Sequence, residues 1–143
     1  MLFLGHIAAS LLLADATDSD RTTVVAGAML PDVTDKTGAW ILHKQPSRWL
    51  AHGLPFFTLV ALLTRADPDA RRSRGFILGY AGHLLCDLWA GDKVPWFAPF
   101  EKQRPPRYNR SLLYYLVYLL PEFIGAAIIW RLVGKPEDES GRT

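Results

Sequence analysis

At 143 residues the chain suffices for one compact domain and falls short of two of ordinary size. Hydrophobic residues make up 50% against 21% charged, and a mean hydropathy of +0.08 sits between a typical soluble protein and a polytopic transporter, a borderline membrane signature. The net charge of +2, from 16 basic and 14 acidic residues, argues against nucleic acid as a partner, and the single Cys86 excludes a disulfide framework or a multi-cysteine zinc site, so any metal here needs histidine and carboxylate ligands.

Residues 2–14 predict a hydrophobic first helix. With no basic residue ahead of the apolar run and a histidine within it, the segment makes a poor signal peptide, so His6 is expected to stay in the mature protein. The polar stretch 15–20 closes that helix and offers caps for a second one over 21–29, which should stop where Pro31 biases Leu30 away from helical geometry. Residues 33–51 lack a sustained period and read as a loop with one short helix at 39–43. The apolar segments 54–64 and 76–90, joined by the Arg- and Asp-rich stretch 65–74, read as a helical hairpin.

A second irregular stretch runs to Asn109, and the long apolar run 112–133 follows. That run is the best transmembrane candidate, matching the roughly 20 residues a bilayer requires. Pro121 and Glu122 in its interior argue against a lipid-facing single span unless the carboxylate turns toward protein. Arg48, Arg71, Arg72, Arg74, Lys102, Arg104 and Arg107 spread basic charge over nearly every loop, which leaves sidedness unassigned. Without an internal repeat or strand-like alternation, the expected fold class is all-α: a small bundle of about five helices forming a single domain over 1–134, with a charged tail at 135–143.

The most informative residues are His83 and Asp87. An i, i+4 spacing stacks an imidazole above a carboxylate on one helix face, and the apolar and glycine neighbours force such a pair to find a partner, a proton or a metal. A buried His–Asp hydrogen bond would also fit the isolated pair. Of the four histidines, however, His6, His52 and His83 lie in or at the end of apolar segments. With Asp32 and Asp87 they supply imidazoles and carboxylates suited to zinc or another first-row divalent ion between helices, and Asp35 can add a third carboxylate. His43, beside Lys44, reads as surface. Arg48, four residues before His52, is placed to grip a phosphate, although a solvated loop arginine is the commoner role. Cys86 reads as a small core residue, and Trp89, Trp96, Phe97 and Phe100 as core or membrane-interface packing.

Four ordered blocks carry a resemblance: Gly5-His6-Ile7-Ala8; Gly27-Ala28-Met29-Leu30-Pro31-Asp32; Arg48 with His52-Gly53-Leu54; and Gly79-Tyr80-Ala81-Gly82-His83-Leu84-Leu85-Cys86-Asp87 followed by Pro95-Trp96-Phe97-Ala98-Pro99-Phe100. The chain resembles the YdjM-type bacterial membrane-bound metal-dependent hydrolases, whose ligand pattern is similar to that of zinc-dependent phospholipase C, an all-helical enzyme. The resemblance implies metal roles for His6, Asp32, His52, His83 and Asp87 and a place at the bacterial inner membrane. It departs from the pattern at Ser47, where the family often has histidine, at Ala51, where it has Thr or Ser, and at Thr34, where it has a second acid that Asp35 could replace.

The expected function is therefore a metal-dependent, zinc-type hydrolase of a membrane lipid or lipid-like phosphoester, working through a metal-activated water. Asp32 or Asp35 would be the base and Arg48, with Lys44 a lesser candidate, the phosphate clamp. The alternative is a non-catalytic helical membrane module that binds a partner or uses the metal structurally. A third option is docking on anionic lipid through the basic loops at 65–74 and 102–110.

Overall fold

The computed structural model describes residues 3–42, 49–89, 94–101 and 112–133. Among them are five α-helices and no strand: α1 (Phe3–Ala16), α2 (Arg21–Leu42), α3 (Leu54–Thr64), α4 (Ala70–Trp89) and α5 (Leu112–Val133), with a 3-10 turn at Leu50–His52. The expected all-helical class and helix number hold.

The turn from α1 to α2 is built by aspartates. Asp18 takes the left-handed φ of 47°, which its short polar side chain tolerates, Asp20 accepts from the Thr23 amide at 2.8 Å as an N-cap, and Asp15 grips Arg21 through both oxygens at 2.7 and 2.9 Å. Asp69 caps α4 in the same way, accepting from the Arg71 and Arg72 amides at 3.0 and 3.3 Å. The helix therefore starts at Ala70 rather than at 76, within the charged stretch assigned to a connection.

The largest correction concerns α2. Its expected end at Pro31 and the loop expected at 33–51 are replaced by a helix continuing to Leu42 with Pro31 fully buried inside it. A mid-helix proline forfeits one backbone hydrogen bond and crowds the carbonyl four residues earlier, costing about 3 kcal/mol. Packing against α4 offsets that cost. The two helices form the most extensive contact in the molecule, and glycines set how close they come. A Cβ on Gly27 would run into the Phe76 carbonyl, and one on Gly79 into the Val24 carbonyl. Backbone thus lies on backbone one turn before Asp32 and one turn before His83.

On the other side of α1 lies α5. Glu122 is buried and accepts from the Gly5 amide at 3.2 Å, so the carboxylate turns toward protein and meets the electropositive start of α1. Among the described residues no helix is long and apolar enough to cross a membrane, so the expectation that 112–133 spans a bilayer gains no support there.

The apolar core gathers Tyr80, Leu84 and Val94 with Leu30, Phe56, Phe57, Val60 and Trp96. Large hydrophobic side chains also lie outside. The helix α3 has no fully buried residue, and Trp40, Trp89 and Phe100 are 78%, 89% and 85% exposed. Of the four aromatic residues from 89 to 100, only Trp96 packs against the core cluster; Trp89, Phe97 and Phe100 face outward. Cys86 is half-buried, its thiol pushed up by burial first and by the charge of Asp87 second.

Candidate metal centre

The interior of the bundle is polar where α1, α2, α4 and the 3-10 turn meet. Among the largest fully buried side chains are His6, His52, His83 and Asp87. Four elements supply the site: His6 comes from the first turn of α1, Asp32 from the middle of α2, His52 from the 3-10 turn, and His83 with Asp87 from one face of α4. The structure brings all five of these sequence-derived candidates to one place.

Asp87 is at the centre. His6 Nε2 stands 3.3 Å from its Oδ1, and His52 Nε2 and His83 Nε2 stand 3.4 and 3.6 Å from its Oδ2. His52 Nε2 and His83 Nε2 are 3.2 Å apart, the rings of His6 and His83 stack with centroids 4.0 Å apart, and Asp32 Oδ1 lies 3.9 Å from His52 Nε2. Two groups here could hold a metal ion, His6–Asp32–His83 and His52–His83–Asp87, each offering ligand atoms within 4.8 Å of one another.

The residues present fit a divalent ion. Both ring nitrogens of His6 and Nδ1 of His83 are buried without a hydrogen-bond partner, and an orphaned buried polar atom costs about 1–3 kcal/mol. His52 meets the His83 ring edge-on, with centroids 5.2 Å apart. Burial first, and the neighbouring His6 second, hold His83 down to about 3, so it is neutral at physiological pH, the form in which an imidazole ligates metal. Burial is also the largest influence on His52 and opposes its charge, but the hydrogen bonds and charges of Asp35 and Asp87 together outweigh it and raise its pKa.

Asp35 stands behind His52 rather than facing the other imidazoles. Its Oδ2 lies 2.7 Å from His52 Nδ1 and accepts from the Trp49 amide at 2.6 Å, while its Oδ1 accepts from the Ala51 amide at 2.9 Å. The carboxylate thus fixes the ring orientation and the tautomer of His52 and ties the 3-10 turn to α2. Arg48, expected as the phosphate clamp, and its neighbours His43, Lys44 and Ser47 lie outside the described residues.

Two residues at the site were not singled out in the sequence. Tyr80 donates its hydroxyl to the Ala51 carbonyl from beneath the turn, its ring edge-on to Phe57 at 5.1 Å and its phenol pushed up by burial and then by Asp35. Lys36 places Nζ 3.0 Å from Asp32 Oδ2. Both carried a signal: Tyr80 precedes His83 by three residues and Lys36 follows Asp32 by four, the two spacings that share a helix face.

Among curated proteins and among solved structures, nothing matches the chain. A family model does, over residues 1–139, and its description, YdjM inner membrane protein, supports a membrane location. With nearly the full length matched, the chain belongs to the YdjM inner membrane protein family.

Proposed function

We propose that the protein is a metal-dependent hydrolase of lipid or lipid-like phosphoesters at the membrane. The observation that carries this reading is the meeting of His6, His52, His83, Asp32 and Asp87 in a buried interior where imidazole nitrogens lack hydrogen-bond partners. Those five side chains would hold the ion, and a set of imidazoles with carboxylates favours zinc among common divalent metals. When bound, such an ion supplies Lewis acidity, acidifying water and neutralising charge that builds on a phosphoryl oxygen. Asp35 acts through His52, holding Nδ1 so that Nε2 presents its lone pair to the cluster. Arg48 is the proposed phosphate clamp, a role that rests on its place four residues before His52.

A second reading is a membrane module with a structural metal, favoured by how closed the cluster is: His52 and Asp87 are 0% exposed and Asp32 only 3%. A structural site fills every coordination position with protein, whereas a catalytic one leaves room for water or substrate. The two part in one assay. Wild-type protein loaded with zinc or manganese should turn over a bis-phosphodiester or a lipid phosphoester, and His83→Ala should not under either metal. Retained metal with wild type and variant equally inert across lipid phosphoesters would leave only the structural reading.

A further inference from the structure

Helix α5 carries none of the five proposed ligands, yet it touches the centre at one remove. Among the α5 residues whose burial is described, only Glu122 and Gly125 are buried, and their spacing puts them on one face. Leu120, Phe123 and Ile124 beside them are exposed. Both buried positions meet the first turn of α1, at the residues just before His6. The Glu122 carboxylate accepts from the Gly5 amide at 3.2 Å, and a Cβ on Gly125 would stand 3.0 Å from the Leu4 carbonyl oxygen and 3.3 Å from the Gly5 Cα. His6, the next residue, puts Nε2 3.3 Å from Asp87 Oδ1 and stacks its ring on His83.

We infer that Glu122 is a positioning residue for the metal centre: it holds the Gly5 amide, with Gly125 letting α5 lie against the same turn, and so sets where His6 presents its ring. The inference rests on the metal centre of the reading above, whether that metal is catalytic or structural. Amides in the first turn of a helix lack acceptors within the helix, and helix ends fray. His6, the ligand that α1 supplies, sits in such a turn, and an acceptor brought from α5 fixes that turn from outside. Burying a carboxylate costs more than burying hydrocarbon of similar size, so stability alone would be served as well by an apolar residue at 122. What the carboxylate adds is direction, an oxygen aimed at one amide. A metal donor must be in place to within about 0.2 Å, a tolerance that a frayed turn does not meet.

The test measures zinc affinity by chelator competition on the full chain in detergent, with denaturant melts showing that each metal-free protein is folded, so that a weaker affinity reports the site and not the folded fraction. Glu122→Leu should bind zinc about tenfold more weakly than wild type, the low end of what removing a support of a ligating histidine costs. Glu122→Gln keeps an acceptor oxygen and should restore most of that affinity. In the metal-free Leu variant, amide hydrogen exchange should quicken in the first two turns of α1 and stay unchanged in α2 and α4. Gly125→Ala leaves the carboxylate in place but crowds the Leu4 carbonyl, and should weaken zinc about twofold to threefold; if Glu122→Leu does not fold, this variant and Glu122→Gln decide, and wild-type affinity in Gly125→Ala overturns the inference. Wild-type affinity in folded Glu122→Leu overturns it too, as does a Gln variant as weak as the Leu variant, which would make the charge of Glu122 and not its hydrogen bond the cause. In both cases the metal centre stands. A wild type that takes up no zinc overturns the metal reading itself, and this inference with it.

Discussion

The interface of α2 with α4 and the surface of α3 distribute their residues in opposite ways. Between α2 and α4, glycines bring the backbones together and the space just beyond them is filled by Asp32, Asp35, His83 and Asp87, ionisable groups withdrawn from water. On α3, Leu59, Leu62 and Leu63 are 51%, 58% and 64% exposed in a helix that buries nothing completely. Desolvating charged groups is expensive unless partners or an ion offset it, and leaving hydrocarbon outside is costly in water but not against lipid. The difference teaches that the two regions are built for different surroundings, donors that could hold an ion within and hydrocarbon left outside, which suits a family placed at the inner membrane.

The strongest way to break this contrast is at the glycines. Gly79→Leu should prevent the approach of α2 to α4 and abolish both cooperative unfolding and metal uptake, since the clash is with the Val24 backbone and not with a side chain that can swing aside; a denaturation curve alongside metal analysis checks it. Next in size, His83→Ala should remove the residue common to both candidate ligand groups and reduce bound zinc to background while the helices persist by circular dichroism.

Asp35→Asn sharpens the account further, because it leaves the five proposed ligands untouched. Metal affinity measured by chelator competition should fall about 10- to 100-fold, the usual effect of removing a carboxylate that orients a ligating histidine. Unaltered affinity would mean that Asp35 merely ties the 3-10 turn to α2.

Acid should also separate the two regions. In metal-free protein the folded state holds His83 neutral down to about 3 against an ordinary value of 6.5. Between those limits the unfolded chain binds a proton that the folded one refuses, so stability falls as pH drops from 6.5 toward 3. The raised pKa of His52 acts in the opposite sense, its stabilisation being present at low pH and lost as pH rises through that value. Denaturation midpoints across this range should decline on acidification in wild type and decline less in His83→Gln. The smallest effect on folding belongs to α3: Leu62→Ser should shift stability by no more than about 0.5 kcal/mol, yet should lower partitioning onto lipid vesicles.

Much of this arrangement was legible in the sequence, and the failures have physical causes. The bounds of α3 and α5 follow from long, predominantly apolar runs, and the five donors from histidines and aspartates placed where solvent-exposed groups would not be. The rule that proline ends a helix is local, and it failed at Pro31 because the α2–α4 contact, a matter of tertiary packing, outweighs one lost hydrogen bond. The orienting position of Asp35 depends on the path of the chain from α2 back to His52, which spacing alone does not encode. Lys36 was passed over because it is unremarkable until Asp32 is known to be buried.

The most direct measurement is elemental analysis of the wild-type protein purified from detergent extracts without chelators, compared with His83→Ala prepared identically. The account predicts a divalent transition metal in stoichiometric amount in the wild type and none above background in the variant. Wild-type protein that is folded yet free of transition metal, and that takes up none when zinc is supplied, would contradict it.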